Sequence, residues 1–216
     1  MKMFCLTPAL VAASMLALSS GASAAYNITQ QSAAAPTYSN LLTFDEPGTP
    51  TGLVSSTYWQ STYGLTITDG VNGPNTDIDD FTGIFPSLGT GNSNLGFFGI
   101  YIAFDSEVTS MSFQAWDPSG SPDPFGDGLT IVLLDQNDNA LDGNSFTGAW
   151  GGIGDTWFNI TTSGGSTFRK AVIFNNSFDP ETYIDNLSWS TAAAPAPGAL
   201  SLLGLAGLVS KRRRRV

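Results

Sequence analysis

Between positions 41 and 190, hydrophobic and polar residues alternate in short stretches that Gly, Asn, Asp and Pro interrupt. Each stretch is rich in β-forming residues, and no window keeps the 3.6-residue period of an amphipathic helix. Frequent turns between short strands predict an all-β fold, a jelly-roll β-sandwich. The predicted strands cover residues 41–45, 63–68, 96–104, 108–116, 129–135, 140–147, 156–162, 168–175 and 182–189.

Alternation within the strands predicts which faces are buried. In 110–115, Met, Phe and Ala alternate with Ser, Ser and Gln, as in a strand with one face on the core. Residues 131–134 are apolar on both faces, which predicts a central strand. The Thr-x-Thr pattern at 66–68 stands alone, so the repeated threonine ladder of an ice-binding face is absent.

The N-terminal 40 residues read as two segments that precede the sandwich. Lys2 is followed by an apolar run at 4–18 and by small residues at 22–24, which predicts a signal peptide over 1–24, cleaved after Ala24. Residues 25–40 are mostly polar and show no apolar period, so they are predicted to be a flexible leader. The sandwich ectodomain then covers residues 41–190.

The C-terminus predicts a membrane segment. A Pro/Ala linker covers 191–197, an apolar helix 198–210 and a basic tail 211–216. Counted from Ala192, the uncharged helix extends for ~27 Å, which is close to the ~30 Å of a bilayer core. Positive charges stay on the cytoplasmic side of a membrane. The basic tail is therefore predicted to be cytoplasmic, through Lys211, Arg212, Arg213, Arg214 and Arg215.

This order of a proline pair, a short Leu/Gly/Ala helix and an arginine cluster resembles the PEP-CTERM sorting signal, a tail that is also labelled an ice-binding protein C-terminal domain. The corresponding motif is Pro195, Ala196, Pro197 and Gly198, in which Ala196 replaces the glutamate of the family. The resemblance implies export by a Gram-negative bacterium, anchoring in the inner membrane, and an exosortase as the partner that recognises and cleaves the tail. It further implies a setting of exopolysaccharide and biofilm at the cell envelope or outside the cell.

The charge distribution limits the partners of the ectodomain. All 18 acidic residues lie between Asp45 and Asp185, whereas Arg169 and Lys170 are its only basic residues, which gives a formal charge of −16. Such a surface repels nucleic acid and favours divalent cations.

The residue types present also exclude several kinds of catalysis. The chain has no histidine, and its single cysteine, Cys5, lies in the signal peptide. Ser-His, Cys-His and His-ligated metal chemistry are therefore excluded, and no disulfide is expected. A glycoside hydrolase with paired carboxylates stays a hypothesis, but no pair stands out. The prediction is a protein that is not an enzyme.

Two acidic residues near the ends of the domain predict a metal site. Strand alternation places Glu46 and Asp185 on the core faces of their strands, where a carboxylate is costly unless it is paired or binds a metal. The segments 42–46 and 183–187 also resemble the first and last strands of galactose-binding-like jelly rolls, many of which are carbohydrate-binding modules. That resemblance implies a structural Ca²⁺ held by Glu46 and Asp185. The alternative is that both side chains lie at strand ends, in solvent or capping backbone N–H groups.

Other polar and aromatic positions are weaker candidates. The residues at 135–143 partly match a calcium-binding loop, but a hairpin turn between two strands explains them better. Asp123 and Asp127, in an acidic loop, and Trp150, among glycines, are candidate ligand-binding residues, and the last is suited to stacking on a sugar. Aromatic residues of a sandwich are more often part of its core, which is the alternative for Trp59, Trp116 and Trp157.

Three functions follow from the sequence. The first is a structural or adhesive protein of an exopolysaccharide or biofilm matrix, with a calcium-stabilised sandwich. The second is a carbohydrate-binding module of the cell surface, and the third is a glycoside hydrolase.

Overall fold

The computed structural model describes residues 25–69, 75–80, 92–97, 99–116, 128–147, 156–175 and 181–193. Within these ranges the chain forms antiparallel β-strands and one short helix, α1 (Gln60–Tyr63), which confirms the predicted all-β class. The strands are β1 (Ala25–Gln31), β2 (Asn40–Leu42), β3 (Gly52–Ser55), β4 (Leu65–Asp69), β5 (Asn75–Asp80), β6 (Asn92–Phe97), β7 (Ile100–Trp116), β8 (Gly128–Leu134), β9 (Ala140–Thr147), β10 (Trp157–Ser163), β11 (Phe168–Asn175) and β12 (Glu181–Thr191).

The 17-residue strand β7 connects the two layers of the sandwich. Its first half pairs with β4 and β11, and β11 continues to β8 and β9. Its second half pairs with β12 and β10, which lead to β6, β5 and β3 and to β1. The sequence predicted two strands, 96–104 and 108–116, where the structure has the end of β6 and the continuous β7.

Buried side chains from both layers form one core. Met111, Phe113 and Ala115 are fully buried, as their alternation predicts. Phe104, from the first half of β7, packs against the rings of Phe168 and Trp189 at centroid distances of 6.3 and 5.6 Å. The strand at 131–134 has neighbours on both sides, β11 and β9, as predicted, although β9 is the end of the strand order.

The N-terminal segment differs from the predicted flexible leader. Residues 25–31 form β1 and pair along their whole length with β10, and Ile28 is buried opposite Ile160. Further along, the Tyr38 amide donates to Ser188 Oγ at 2.8 Å, and Ser112 Oγ donates to the Pro36 carbonyl at 2.8 Å. The segment therefore covers the polar face of β7 and β12. Its few apolar residues give too weak a period to reveal a strand.

Strands β3 and β5 were not predicted either, because β3 is only four residues long and β5 contains a single apolar residue. Strand β5 reads Asn-Thr-Asp-Ile-Asp-Asp, and its pairing with β3 and β6 places Ile78 fully inside the core. In contrast, the predicted hairpin between β8 and β9 is confirmed. Asp135 closes its turn by accepting hydrogen bonds from the amides of Asn137 and Asn139 at 2.7 and 2.9 Å. Its carboxylate thus stabilises a turn, as the hairpin interpretation requires.

Neither terminus can be compared with its prediction. Among the residues that the structure describes, no helix has the length and apolar character needed to cross a membrane. The signal peptide at 1–24, the helix at 198–210 and the basic tail at 211–216 all lie outside those residues, as does the Pro195–Gly198 motif.

Candidate functional site

The two predicted carboxylates lie near each other where β12 changes from pairing with β6 to pairing with β2. Residues 181–184 of β12 pair with β6, and residues 187–189 pair with β2. Asp185 and Asn186 lie between these two regions. Because β2 runs antiparallel to β12, the segment 43–46 that follows β2 passes next to Asp185. This topology brings Asp45 and Glu46 near enough to Asp185 for their charges to act on its carboxyl group.

A β-bulge in β12 places Asp185 on the face of the strand opposite to the predicted one. Asp185 lies opposite Gln114 and Ser188 opposite Ser112, so β12 contains one more residue than β7 between these pairs. Asn186 takes the left-handed conformation of the bulge, with φ of 49°, and its side-chain amide donates to Gln114 Oε1. Trp189 thus lies on the core face and Asp185 on the other. The prediction that Asp185 lies on the core face of its strand was wrong because regular alternation ends at the bulge.

A second left-handed residue corrects the predicted orientation of Glu46. Strand β2 ends at Leu42, and Phe44 has φ of 61° while its side chain is fully buried. This conformation is uncommon for a bulky residue. It turns the chain so that Glu46 Oε1 accepts hydrogen bonds from the Thr43 amide at 2.8 Å and from Thr43 Oγ1 at 3.2 Å. Glu46 therefore caps the end of β2, as the alternative interpretation expects.

Asp185 is buried although it lies on the outer face of β12. It is 3% exposed, and its Oδ1 accepts a hydrogen bond from the Asn186 amide at 2.6 Å. Burial raises the pKa of its carboxyl group to about 7 against the lowering effect of that amide, and the charges of Asp45 and Glu46 raise it further. The exposed Asp45 and the half-buried Glu46 thus interact unfavourably with the buried Asp185.

Glu46 contributes a buried oxygen to the same region. Its Oε2 is inaccessible to solvent and receives no hydrogen bond from any atom that the structure describes. Burial raises the pKa of the nearby Tyr63 hydroxyl, and the charge of Glu46 raises it further. Neither Glu46 nor Asp185 forms an ion pair with a lysine or arginine of the described ranges. A buried oxygen without a partner is costly.

The donor set fits calcium only with help from neutral oxygens. No three His, Cys, Asp or Glu side chains in the described part of the chain are close enough to hold a metal ion. Two carboxylates, Glu46 and Asp185, would therefore need backbone or amide oxygens beside them. Calcium accepts such mixed oxygen ligands, whereas zinc prefers nitrogen and sulfur.

The other predicted site residues have different outcomes. Trp59 is 2% exposed and packs edge-on against Phe44, so the core interpretation is confirmed for it. Trp157 is half-buried on β10. Asp123, Asp127 and Trp150, together with the side chain of Trp116, lie outside the described residues.

Sequence reasoning missed Thr43, Tyr63, Gln114 and Asn186, which surround the two carboxylates. The one signal for the bulge was Asn186 itself, because asparagine tolerates the left-handed conformation better than most residues.

Comparisons with known proteins give distant structural similarities. No family model matches the chain, including any for its C-terminal tail, and no curated protein matches it. The K2 cleaved adhesin domain of Lys-gingipain is 13% identical, with a TM-score of 0.45 over 71% of this chain and 98% of that domain. The K1 cleaved adhesin domain of Lys-gingipain from Porphyromonas gingivalis is 11% identical, with a TM-score of 0.38 over 77% and 99%.

A third similar structure is the CBM22-1 xylan-binding domain of Paenibacillus barcinonensis Xyn10C. It is 14% identical, with a TM-score of 0.36 over 74% of this chain and 100% of that domain. The antiparallel β-sandwich is thus distantly similar to adhesin and carbohydrate-binding domains. These values are too low to assign the chain to a family or to assign it a ligand.

Proposed function

We propose that the chain is an exported structural or adhesive protein of the bacterial cell envelope, whose non-catalytic jelly-roll sandwich is stabilised by calcium. The observation that carries this proposal is the meeting of Glu46 and Asp185 at the exchange of strands along β12. Asp185 is 97% withdrawn from solvent and repelled by its acidic neighbours, while Glu46 holds a buried oxygen without a partner. A divalent cation relieves both costs at once.

The cation would act as a clamp between the two ends of the domain. Glu46 follows β2, near the start of the domain, and Asp185 lies on β12, near the end of the domain. One ion would therefore connect segments that are about 140 residues apart in sequence. The ectodomain has no disulfide to do this and carries a charge of −16. Calcium outside the cell would both lower that charge and fix the chain ends.

Calcium is expected to stabilise the purified full-length protein, and EDTA is expected to reverse the effect. At ~100 times its Kd, calcium should raise the free energy of unfolding by about 2.7 kcal/mol. Asp185→Asn should abolish this response in thermal melts. Asp142→Asn is the matched control, because Asp142 also accepts a hydrogen bond from the next amide, at 2.8 Å, but is exposed. Equal melting temperatures with calcium and with EDTA would contradict the calcium site.

Export and anchoring form the second part of the proposal, and they rest on the sequence of the two termini. In a Gram-negative host that carries an exosortase, the intact chain is expected in the envelope fraction. Removal of residues 211–215 should shift it to the medium, because the apolar helix loses the charges that hold it in the membrane. Arg169→Gln, which removes a cation of the sandwich instead, should leave the fractionation unchanged. Finding the uncut chain in the cytoplasm would refute the proposal.

Carbohydrate binding is the second candidate function. The observation that favours it is a groove beside an exposed tyrosine, Tyr101, on the outer face of the sandwich. The adhesin and xylan-binding domains named above agree with a surface role, but they are too distant to choose between adhesion and sugar binding.

A further inference from the structure

A groove of about 260 Å³ crosses the outer face of the sheet formed by β4, β7, β11 and β8. Strand register places Thr66, Ala103, Lys170 and Leu134 in one row across the four strands. Thr68 and Tyr101 belong to the adjacent row. At ~4.8 Å between strands, each row extends for about 14 Å. The opposite side chains of the same strands are in the core, so a firmly packed layer supports the groove.

The groove is deep at its centre because the residue there, Ala103, has a small side chain. Ala103 lies between the longer side chains of Thr66 and Lys170, and all three are only partly buried. Leu134 adds apolar surface at the end of this row. The run at 131–134 was the one sequence signal of this apolar outer surface. It is apolar on both faces, although only its odd-numbered residues are in the core.

Tyr101 forms an aromatic wall that is 44% exposed. Its ring is positioned by Gly99, which has φ of 117°. A Cβ atom at Gly99 would lie 3.4 Å from Tyr101 Cε2, so the ring rests against the glycine backbone. A large exposed aromatic residue with a polar hydroxyl at its tip is typical of binding surfaces.

The charged groups of the groove are already paired with each other. Lys170 Nζ lies 2.5 Å from Asp138 Oδ1, and Asp138 is held in the β8–β9 turn with φ of 65°. The ammonium group has three donors and the carboxylate several acceptor positions, so both keep hydrogen-bonding capacity for a ligand. The groove is thus close to neutral within a domain whose charge is −16.

We propose that this groove binds a neutral sugar unit of a polysaccharide. A pyranose ring has an apolar C–H face, which matches Tyr101 and the floor at Ala103, and a rim of hydroxyl groups, which matches Thr66 and the Lys170–Asp138 pair. A few polar groups around an apolar surface are the usual pattern of a small-molecule site. An anionic glycan fits poorly, because Lys170 is already neutralised and the rest of the domain repels it. This inference rests on the second function proposed above and is independent of the calcium site.

The test is titration calorimetry of the full-length protein with cellotetraose, xylotetraose, mannotetraose and galactotetraose. At least one of these neutral sugars should bind, and tetragalacturonate should not. Tyr101→Ala should weaken binding by about tenfold, as loss of one aromatic contact does. Ala103→Leu, which fills the floor of the groove on the outer face of the sheet, should abolish binding, whereas Tyr101→Phe should retain most of it.

Tyr58→Ala is the matched control, because Tyr58 is 43% exposed and lies outside the groove. Its affinity should equal that of the wild type. If the wild type binds a neutral sugar and both Tyr101→Ala and Ala103→Leu bind it equally well, the groove is not the binding site, but the carbohydrate-binding function is supported. If no sugar binds, both the groove and the second function are overturned. Binding of only the acidic sugar would also overturn the inference.

Discussion

In calcium-free buffer, the full-length protein is expected to lose stability as the pH rises from about 4 to about 7, and Asp185→Asn is expected to remove this loss. Burial, with the charges of Asp45 and Glu46, raises the pKa of Asp185 from 3.8 to about 7. In this range the folded state keeps a proton that the unfolded state has released. Folding is therefore favoured at low pH and loses this contribution as the pH rises through the folded pKa. The difference corresponds to on the order of 4 kcal/mol.

The measurement is urea denaturation of the wild type and of Asp185→Asn at a series of pH values in EDTA. The comparison matters because many other carboxylates titrate in the same range. Asp135, for example, has a lowered pKa because of hydrogen bonds from Asn139, so it acts in the opposite direction. The difference in the free energy of unfolding between the wild type and Asp185→Asn, taken at each pH, gives the contribution of Asp185. Parallel pH profiles for the two proteins would show that Asp185 is not buried as described.

With calcium present, the stability of the wild type should no longer fall as the pH rises to 7. The ion binds the ionised carboxylate, so its affinity rises as Asp185 loses its proton. The wild type should then be most stabilised by calcium at or above pH 7, where it is weakest without the ion. Asp142→Asn should respond to calcium as the wild type does, because its carboxylate is exposed.

The sequence predicted the sandwich well where hydrophobic residues alternate without interruption. Met111, Phe113 and Ala115 illustrate this, because each position has the environment that a regular pleat implies. It failed for β1 and β5, in each of which the structure shows one buried apolar residue, Ile28 and Ile78, and which are stabilised by neighbours that are distant in sequence. Such strands have no local signal, since pairing with another strand determines their conformation.

The candidate site stays a prediction, but the structure shows why its two carboxylates come near each other. Strand β2, which precedes Glu46, pairs with β12, which contains Asp185. The orientations of the two carboxylates depend on Phe44 and Asn186, whose left-handed backbones interrupt the alternation. The groove was not predicted at all, because Thr66, Tyr101 and Lys170 come from three separate strands and only register aligns them. Local pattern thus identifies strands, whereas bulges and register determine sites.

Trp189→Ala is expected to lower the free energy of unfolding strongly. Trp189 is 1% exposed, and its ring contacts Phe104 of β7 and Tyr63 of α1 at centroid distances of 5.6 and 6.3 Å. Phe104 belongs to the half of β7 that pairs with β4 and β11, whereas Trp189 lies on β12, opposite Met111 in the other half of β7. The indole therefore joins the two layers, and its removal should cost about 3–5 kcal/mol.

Urea denaturation of the full-length chain measures this cost, with Trp157→Ala as the matched control. Trp157 is only half-buried on β10, so less apolar surface is lost there and the decrease should be clearly smaller. Because Trp189 carries no charge, its substitution should lower stability equally at every pH, whereas Asp185→Asn changes the slope. Similar costs for the two tryptophans would mean that the layers do not pack through Trp189. A pH-dependent cost of Trp189→Ala would mean that the bulge does not separate the core face of β12 from Asp185.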